Sequence, residues 1–254
     1  MPDASPAIMP TYGRLPVTFS RGEGAVLYDM DDRAYLDGVS GIAVTNLGHQ
    51  YPRVTEAVAE QASRLIHTSN LFHIGLQEAV AEQLRAATGM ENMFFCNSGA
   101  EANEAAIKLA RRYGDQKGIA SPQIVVLDGA FHGRTLGALS ATGNQKIRQG
   151  FGPLLEGFQR VAPDDLSAVE ALAAERQDIV AVLVEPILGE GGIKPLATDF
   201  LQGLRRVCDQ HEWLLIFDEV QTGNGRCGSI YVFEQLGVEP DVLLTAKGLG
   251  NGLP

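Results

Sequence analysis

Short apolar runs alternate with amphipathic segments along most of the chain. Runs rich in β-branched and aromatic residues with few polar positions are typical of strands buried on both faces. Between them, apolar residues recur every three or four positions, which predicts helices with one buried face. The predicted strands are NMFFC, QIVVLD, IVAVLVE, WLLIFDE and DVLLTA, and the helices between them include AEANEAAIKLARRYG, DDLSAVEALAAERQ and TDFLQGLRRVCDQHE. This alternation predicts an α/β fold, with a mostly parallel sheet and helices on both faces.

The N-terminal region has a different pattern. Residues 1–20 are rich in proline and are predicted to be irregular. The stretch GAVLYDMDDRAYLDGV predicts a β-hairpin that turns at residues 30–33. Helical periodicity then begins at Pro52 in YPRVTEAVAEQASRLI, and a second helix, LQEAVAEQLRAAT, is predicted to end at Gly89.

Composition narrows the class of protein. The chain has 254 residues, of which 45% are hydrophobic and 20% charged, which is enough for one large domain or two smaller ones. A net charge of −11 makes nucleic acid and anionic membranes unfavourable partners. The three cysteines lack the spacing of a disulfide framework or a metal site, and no signal peptide or membrane-spanning apolar run is visible. We therefore expect a cytoplasmic protein.

Polar residues stand where the predicted strands end. In parallel α/β sheets, ligands bind just beyond the carboxyl ends of the strands, so these positions are the first candidates for a site. They are Asn97, Ser98, Asp128, Glu185, Asp218, Glu219 and Lys247.

The segment around Ser98 has two compatible interpretations. With Glu101 three residues later, Ser98 can form a capping box at the start of a helix. The same helix terminus can bind a phosphate, because its backbone N–H groups are free and Gly99 allows close approach. The sequence is not a Walker loop, since no Gly-Lys-Ser/Thr follows.

Two loops carry further candidates whose roles stay open on residue type alone. Phe131 in AFHGRT is either a core aromatic or a ring that stacks on a planar ligand, and Arg134 is either a surface charge or a carboxylate-binding fork. Glu185 follows an entirely apolar strand, so it is solvated at the strand end or part of a site. Glu190 lies in the glycine-rich loop after it, as a mobile gate or a solvated loop acid.

The most informative segment is LLIFDEVQTGNGR, taken together with Lys247. Asp218 and Glu219 end a buried strand and are expected to face opposite sides of it. A metal site is unsupported, since the five histidines show no ligand spacing. Lys247 ends the next predicted strand, where an apolar pocket favours the neutral amine that forms imines. A nucleophilic lysine, an acid, a stacking ring and a phosphate cradle together fit pyridoxal 5'-phosphate.

These motifs carry a family resemblance. The segments NSGAEANEAAIKLAR, AFHGRT, VEPILGEGG, LLIFDEVQTGNGR and AKGLGNGLP resemble, in order and spacing, the class III pyridoxal-phosphate-dependent aminotransferases of fold type I. The likeness runs from RGEGAVLYDMDDRAYLDGV to the final residue. Leu188 is a departure, since relatives usually carry glutamine there. The resemblance implies that residues 1–52 belong to the small domain and that residues 53–254 form an incomplete cofactor-binding large domain.

The resemblance also implies a role for each cofactor-binding residue. Lys247 is expected to be the Schiff-base lysine that also moves the substrate proton, and Asp218 to pair with the pyridine nitrogen. Val220 and Phe131 are expected to pack on the two faces of the ring. Gln221 is expected to hydrogen-bond its phenolic oxygen.

Other roles follow from the same resemblance. The amides of Ser98, Gly99 and Ala100 are expected to bind the phosphate, and Glu185 to support the cofactor. Arg134 is expected to bind a substrate carboxylate, and Glu190 to act as a gate acid that pairs with a second arginine while the amino donor is bound.

For the complete protein, the resemblance implies a homodimer that moves the δ-amino group of N-acetylornithine to 2-oxoglutarate. Alternative donors are ornithine, succinylornithine and 4-aminobutyrate. Because relatives continue well past the lysine motif, the chain is expected to be the N-terminal part of a longer protein. A non-catalytic remnant is the alternative from a different class.

Overall fold

The computed structural model describes residues 7–254. The predicted irregular segment at residues 1–20 therefore lies partly outside the described residues, and residues 7–18 contain no helix or strand. The chain divides into two compact units, of which the first ends at His67 and the second is Thr68–Pro254. Within residues 7–254, no helix has both the length and the apolarity needed to cross a membrane.

The first unit contains the predicted hairpin, extended by one strand. Its elements are the strands β1 Phe19–Glu23, β2 Val26–Asp29 and β3 Ala34–Leu36, a short helical turn α1 Ser40–Ala43, and helix α2 Pro52–Arg64. The sheet is antiparallel in the order β1-β2-β3. Asp29 holds the turn, because its Oδ1 accepts the N–H groups of Asp31 and Arg33, each at 2.9 Å. The hairpin prediction is confirmed, whereas β1 occupies the end of a segment predicted to be irregular.

The second unit alternates strands and helices. Its strands are β4 Gln123–Leu127, β5 Phe158–Val161, β6 Ile179–Val184, β7 Ile187–Leu188, β8 Lys194–Pro195, β9 Leu214–Asp218 and β10 Val242–Leu244. Its helices are α3 Gly75–Thr88, α4 Gly99–Gln116, α5 Leu136–Ala141, α6 Gln145–Arg148, α7 Leu166–Glu175, α8 Thr198–His211 and α9 Phe233–Leu236, and a 3-10 turn follows at Lys247–Leu249. Gly89 ends α3 in the left-handed conformation, with φ 74°, as predicted.

Five of these strands form one parallel sheet in the order β10-β9-β6-β4-β5. Its side chains alternate between two cores: Val125 and Leu127 of β4 pack with residues of α7 and α8, and Ile124 and Val126 pack with residues of α4. Helices thus cover both faces, which explains why the strands are apolar at nearly every position. The predicted α/β fold class is confirmed.

One predicted strand is wrong. The run NMFFC, residues 92–96, is not a strand, and Phe94 within it is 76% exposed. Its apolar, β-prone residues favour extended backbone, but a strand also needs a neighbouring ladder, and none of the described strands pairs with this segment. Asn97 and Ser98 therefore follow irregular chain rather than a strand. Strand β5 was not predicted, because FQRV carries a weak apolar signal.

Candidate active site

Three of the predicted site residues follow neighbouring strands of the parallel sheet. Glu185 comes directly after β6, Asp218 ends β9, and Lys247 begins the 3-10 turn after β10. The ladder between β9 and β10 pairs Asp218 with Leu244. Because parallel strands bring their carboxyl ends to the same edge of a sheet, the structure brings these three residues together.

Asp218 is buried and held in one orientation by three donors. Its Oδ2 accepts hydrogen bonds from Asn103 Nδ2 at 2.9 Å and His132 Nδ1 at 2.8 Å, and its Oδ1 accepts the Val220 N–H at 3.1 Å. Since an ionised carboxylate only accepts, the proton of the histidine contact lies on Nδ1. A carboxylate has about four acceptor positions, so one position on Oδ1 stays open within the described chain.

Asn103 and His132 are functional candidates that the sequence analysis missed. Asn103 lies in the first turns of α4, where its Nδ2 also donates to the Gly99 carbonyl at 3.0 Å. Among the described residues, Asn103 Oδ1 and His132 Nε2 are buried without a hydrogen-bond partner. Two signals pointed to them: His132 stands between Phe131 and Arg134, and Asn103 follows Gly99 by about one helical turn.

Lys247 is half-buried and has an unusual backbone conformation. Its φ of 48° lies in the left-handed region, which is unfavourable for a residue with a Cβ. Burial lowers the pKa of its amine, whereas the charges of Asp218, Glu190 and Glu185 act in the opposite direction. Burial therefore favours the neutral, nucleophilic form of the amine.

Helix α4 begins at the predicted anion site. The Ser98 hydroxyl accepts the Glu101 N–H at 3.2 Å, so Ser98 is confirmed as the N-cap. The Glu101 carboxylate accepts the N–H of Asn97 at 2.5 Å, one residue before the N–H that bonds in a capping box. The first N–H groups of a helix, here those of Gly99 and Ala100, have no intrahelical acceptor and remain available for an anion.

Val220 packs directly against the start of α4. A Cβ added to Gly99 would lie 2.7 Å from Val220 Cγ1, which is closer than real Cβ contacts allow. Glycine is therefore required at this position, and the predicted ring-packing residue lies beside the predicted phosphate cradle.

The loop after β4 places Phe131 and Arg134 near the same helix end. The N–H of Phe131 donates to Glu185 Oε2 at 2.8 Å, and a Cβ on Gly133 would meet the Ala100 Cβ at 2.8 Å. Phe131 is partly exposed and Arg134 is exposed. The backbone of this loop therefore lies against Glu185 and the start of α4.

Glu185 is a buried acid with a strongly shifted pKa. Its carboxylate also accepts the Gly189 N–H at 3.3 Å. Burial raises the pKa of Glu185 to about 7, and the charge of Asp218 adds to this, whereas His132 and the two backbone N–H groups lower it. Glu185 is not a solvated strand-end acid.

The chain after Glu185 forms a small antiparallel hairpin, β7-β8, with Glu190 exposed in its connecting loop. Leu188 is 2% exposed in the core, which explains an apolar residue where relatives usually carry glutamine. Gln221 lies so close to Gly189 that its amide leaves no space for a Cβ there. The structure therefore brings the Gln221 side chain to the base of the Glu190 loop.

The geometry fits a planar, phosphorylated cofactor with a protonated ring nitrogen. Asp218 offers one open acceptor at the end of a rigid hydrogen-bond network, and the start of α4 offers backbone N–H groups for the phosphate. Lys247 supplies an amine from the turn that follows the neighbouring strand. Within residues 7–254, no cluster of His, Cys, Asp and Glu side chains could hold a metal ion.

Comparisons with known proteins agree with this geometry. A family model described as aminotransferase class-III matches residues 7–254. The chain is 55% identical over 247 residues to an acetylornithine aminotransferase of Nitrosomonas europaea, a match that covers 97% of this chain and 63% of the relative.

Solved structures give the same picture. An ornithine aminotransferase from Toxoplasma gondii matches with a TM-score of 0.93 and 32% identity, over 98% of this chain and 59% of that one. An N-acetylornithine aminotransferase from Stenotrophomonas maltophilia matches with a TM-score of 0.83 and 39% identity, over 96% and 61%. The chain spans less than two thirds of the length of each of these proteins.

Proposed function

Because the chain belongs to the class-III aminotransferases, we propose that the carboxyl edge of its sheet binds and uses pyridoxal 5'-phosphate to move an amino group. The proposed donor is N-acetylornithine, at its δ-amino group, and the acceptor is 2-oxoglutarate. The products are N-acetylglutamate 5-semialdehyde and glutamate, in arginine biosynthesis. Members of this family depend on pyridoxal phosphate, so the cofactor agrees with the sequence prediction.

The observation that carries the proposal is the buried Asp218 with one open acceptor position, beside the amine of Lys247. When bound, the cofactor supplies a carbonyl carbon that takes up amino groups and a ring that withdraws electrons. A buried carboxylate favours a proton on a ring nitrogen that faces it, because the resulting positive charge pairs with its own. Asp218 thereby keeps the ring electron-poor.

Lys247 has two proposed tasks. With the cofactor bound and no substrate present, its neutral amine would hold the cofactor by condensing with the carbonyl carbon and releasing water, and burial favours that neutral form. With a substrate bound, the freed Nζ would take up and hold the proton from the substrate carbon. Both tasks need a free amine at a fixed distance from the reacting atoms.

The remaining residues are proposed to bind and orient. The amides of Ser98, Gly99 and Ala100 bind the phosphate at the helix N-terminus. Val220 and Phe131 pack on the two ring faces.

Hydrogen bonding and substrate contacts complete the proposal. Gln221 bonds the phenolic oxygen, and Glu185 supports the loop that carries Phe131. The exposed Arg134 binds a substrate carboxylate through its planar fork. Glu190, in the connecting loop of the β7-β8 hairpin, acts as the gate acid.

We further propose that the protein works in the cytoplasm as a homodimer. Residues 1–52 are assigned to the small domain and residues 53–254 to an incomplete large domain. The domain assignment rests on the family of the chain, whereas the compact units of the structure divide after His67.

The donor is tested by a half-reaction. The 254-residue chain, loaded with pyridoxal phosphate, is mixed separately with N-acetylornithine, succinylornithine, ornithine and 4-aminobutyrate, and the aminated cofactor is quantified. We expect N-acetylornithine to react fastest; a clear preference for 4-aminobutyrate contradicts the proposed substrate. Bound cofactor with no transfer from any donor supports the second candidate, a non-catalytic chain.

A further inference from the structure

Glu219 is a buried acid that the proposed function does not use. It is 0% exposed, and its carboxylate accepts three hydrogen bonds: from Val232 N–H at 2.7 Å, Phe233 N–H at 2.9 Å and the Thr222 hydroxyl at 2.9 Å. None of these donors contacts Asp218, as expected if neighbouring residues at a strand end face opposite sides. Glu219 therefore ties both ends of segment 222–233 to the end of β9.

Two side chains of that segment reach the residues before Lys247. Asn224 Nδ2 donates to Thr245 Oγ1 at 3.0 Å and to the Ala246 carbonyl at 3.1 Å. The buried Tyr231 donates its hydroxyl to the same Thr245 Oγ1 at 3.2 Å. Both acceptor positions of the Thr245 hydroxyl are thereby occupied.

The chain that these contacts hold is strained. Lys247, directly after Ala246, has a φ of 48°, in the left-handed region. A residue with a Cβ keeps a left-handed backbone only where its surroundings over-determine that conformation. The hydrogen bonds from Asn224 and Tyr231 to the two preceding residues provide that determination, and of the two donors Tyr231 is fully buried and Asn224 partly buried.

We propose that Asn224, Tyr231 and Thr245 form a lysine clamp, anchored by Glu219, that positions the Lys247 amine toward the site. The clamp residues are positioning residues, because they act on the backbone before Lys247 rather than on a ligand. The catalytic meaning of the clamp rests on the proposed function, in which Lys247 bonds the cofactor. The clamp also explains the paired acids: Asp218 faces the site, and Glu219 holds the loop that places the lysine.

The test measures the Lys247 amine without any cofactor. The chain is labelled with trace acetic anhydride over a range of pH, and mass spectrometry compares Lys247 with the exposed Lys108. The variants are Thr245→Val and Tyr231→Phe, which remove clamp hydroxyls, and Thr245→Ser, which keeps the hydroxyl. Tyr113→Phe is the matched control, because it removes a tyrosine hydroxyl that bonds the Glu212 carbonyl elsewhere.

In the unaltered chain we expect Lys247 to titrate below the ordinary range of a lysine amine, with Lys108 as the internal standard for the reagent. In Thr245→Val the pKa of Lys247 should move up toward that ordinary range, and each unit of rise lowers its acetylation rate about tenfold below that pKa. Tyr231→Phe should give a smaller change in the same direction, while Thr245→Ser and Tyr113→Phe should leave the titration unchanged. If Thr245→Val unfolds, Tyr231→Phe decides alone, since it removes a single oxygen.

An unchanged Lys247 titration in the folded Thr245→Val and Tyr231→Phe chains overturns the clamp. Equilibrium binding of pyridoxal phosphate to the same proteins separates this failure from that of the proposed function. If the clamp variants shift the titration of Lys247 but the unaltered chain does not bind pyridoxal phosphate, the result supports the clamp and contradicts the proposed function. If both hold, the variants that shift the titration should also bind the cofactor more weakly, with Thr245→Ser restoring the affinity.

Discussion

At the scale of single residues, the site depends on three acids in three different environments. Asp218 is fully hydrogen-bonded except at one acceptor position, Glu219 is satisfied by backbone and hydroxyl donors, and Glu185 has only two backbone donors. Burial raises the pKa of Glu219 as well as that of Glu185. The three carboxylates therefore differ in what they can still accept, and only Asp218 is arranged to meet a protonated ligand.

The raised pKa of Glu185 predicts a pH-dependent stability. The native state binds this proton more tightly than the unfolded state, because the pKa rises from 4.5 to about 7. Glu185 therefore makes its full contribution to the free energy of unfolding below pH 4.5. As the pH rises to about 7 this contribution is lost, which lowers the free energy of unfolding by up to about 3 kcal/mol. Urea unfolding at several pH values measures this fall.

Glu185→Gln should remove this decrease in stability with rising pH, because the amide does not titrate. The free energy of unfolding of the variant should therefore change less across the same pH range. The amide keeps one acceptor but turns its NH₂ group toward a backbone donor, so the variant need not be more stable at neutral pH. Glu175→Gln, at the exposed end of α7, is the control and should keep the fall. A Glu185→Gln chain with the unaltered pH profile contradicts the assignment.

His132 gives a second prediction at this scale. His132→Leu removes the Nδ1 donor to Asp218 and should lower the free energy of unfolding by about 2 kcal/mol. It should also weaken pyridoxal phosphate binding about tenfold, since the freed carboxylate no longer presents one fixed oxygen. His132→Asn places an N–H near the Nδ1 position and should restore much of the affinity. Equal affinities for the Leu and Asn variants would exclude this positioning role.

At the scale of elements, the start of α4 joins a helix cap, a ring-packing residue and an anion cradle. We call this arrangement at the start of α4 the joint. It depends on Gly99, because Val220 packs directly against that residue. Asn103, about one turn later, connects the same helix to Asp218. A small displacement of this helix end should therefore affect both the phosphate contacts and the orientation of the acid.

Gly99→Ala tests this joint, and Gly75→Ala is its matched control. Both glycines are the first residue of their helix, but a Cβ at Gly75 meets nothing within 4 Å, whereas at Gly99 it meets Val220 at 2.7 Å. We expect Gly99→Ala to cost about 1–3 kcal/mol of stability and to weaken pyridoxal phosphate binding. Urea unfolding and cofactor titration measure both, and equal behaviour of the two variants would argue against the joint.

Elements with a clear periodicity were predictable from the sequence, and those that depend on distant partners were not. Strand β6 is evident as a continuous apolar run of β-prone residues, and helix α8 because its apolar positions repeat with the helix period. The NMFFC run has strand-like residues but no ladder among the described strands, and His132 acquires its importance only from Asp218. Strand pairing and the hydrogen bond between His132 and Asp218 both depend on residues that are distant in sequence, so a local sequence pattern does not predict them.

At the scale of the whole molecule, one parallel sheet collects residues that are far apart in sequence. Asp218 and Lys247 come to the same edge of the sheet because β9 and β10 are adjacent. Glu185 joins them because β6 is the next strand in the sheet. The lysine clamp, by contrast, depends on side-chain contacts of segment 222–233, and hydrophobic periodicity does not predict such contacts.

The central claim is that Lys247 is the residue that bonds pyridoxal phosphate, and a borohydride trap tests it most directly. The 254-residue chain is incubated with the cofactor, reduced with borohydride, digested and analysed by mass spectrometry. Of the five lysines, at positions 108, 117, 146, 194 and 247, the account predicts label confined to Lys247. Label absent from Lys247, or spread evenly over the exposed lysines of the folded chain, would contradict it.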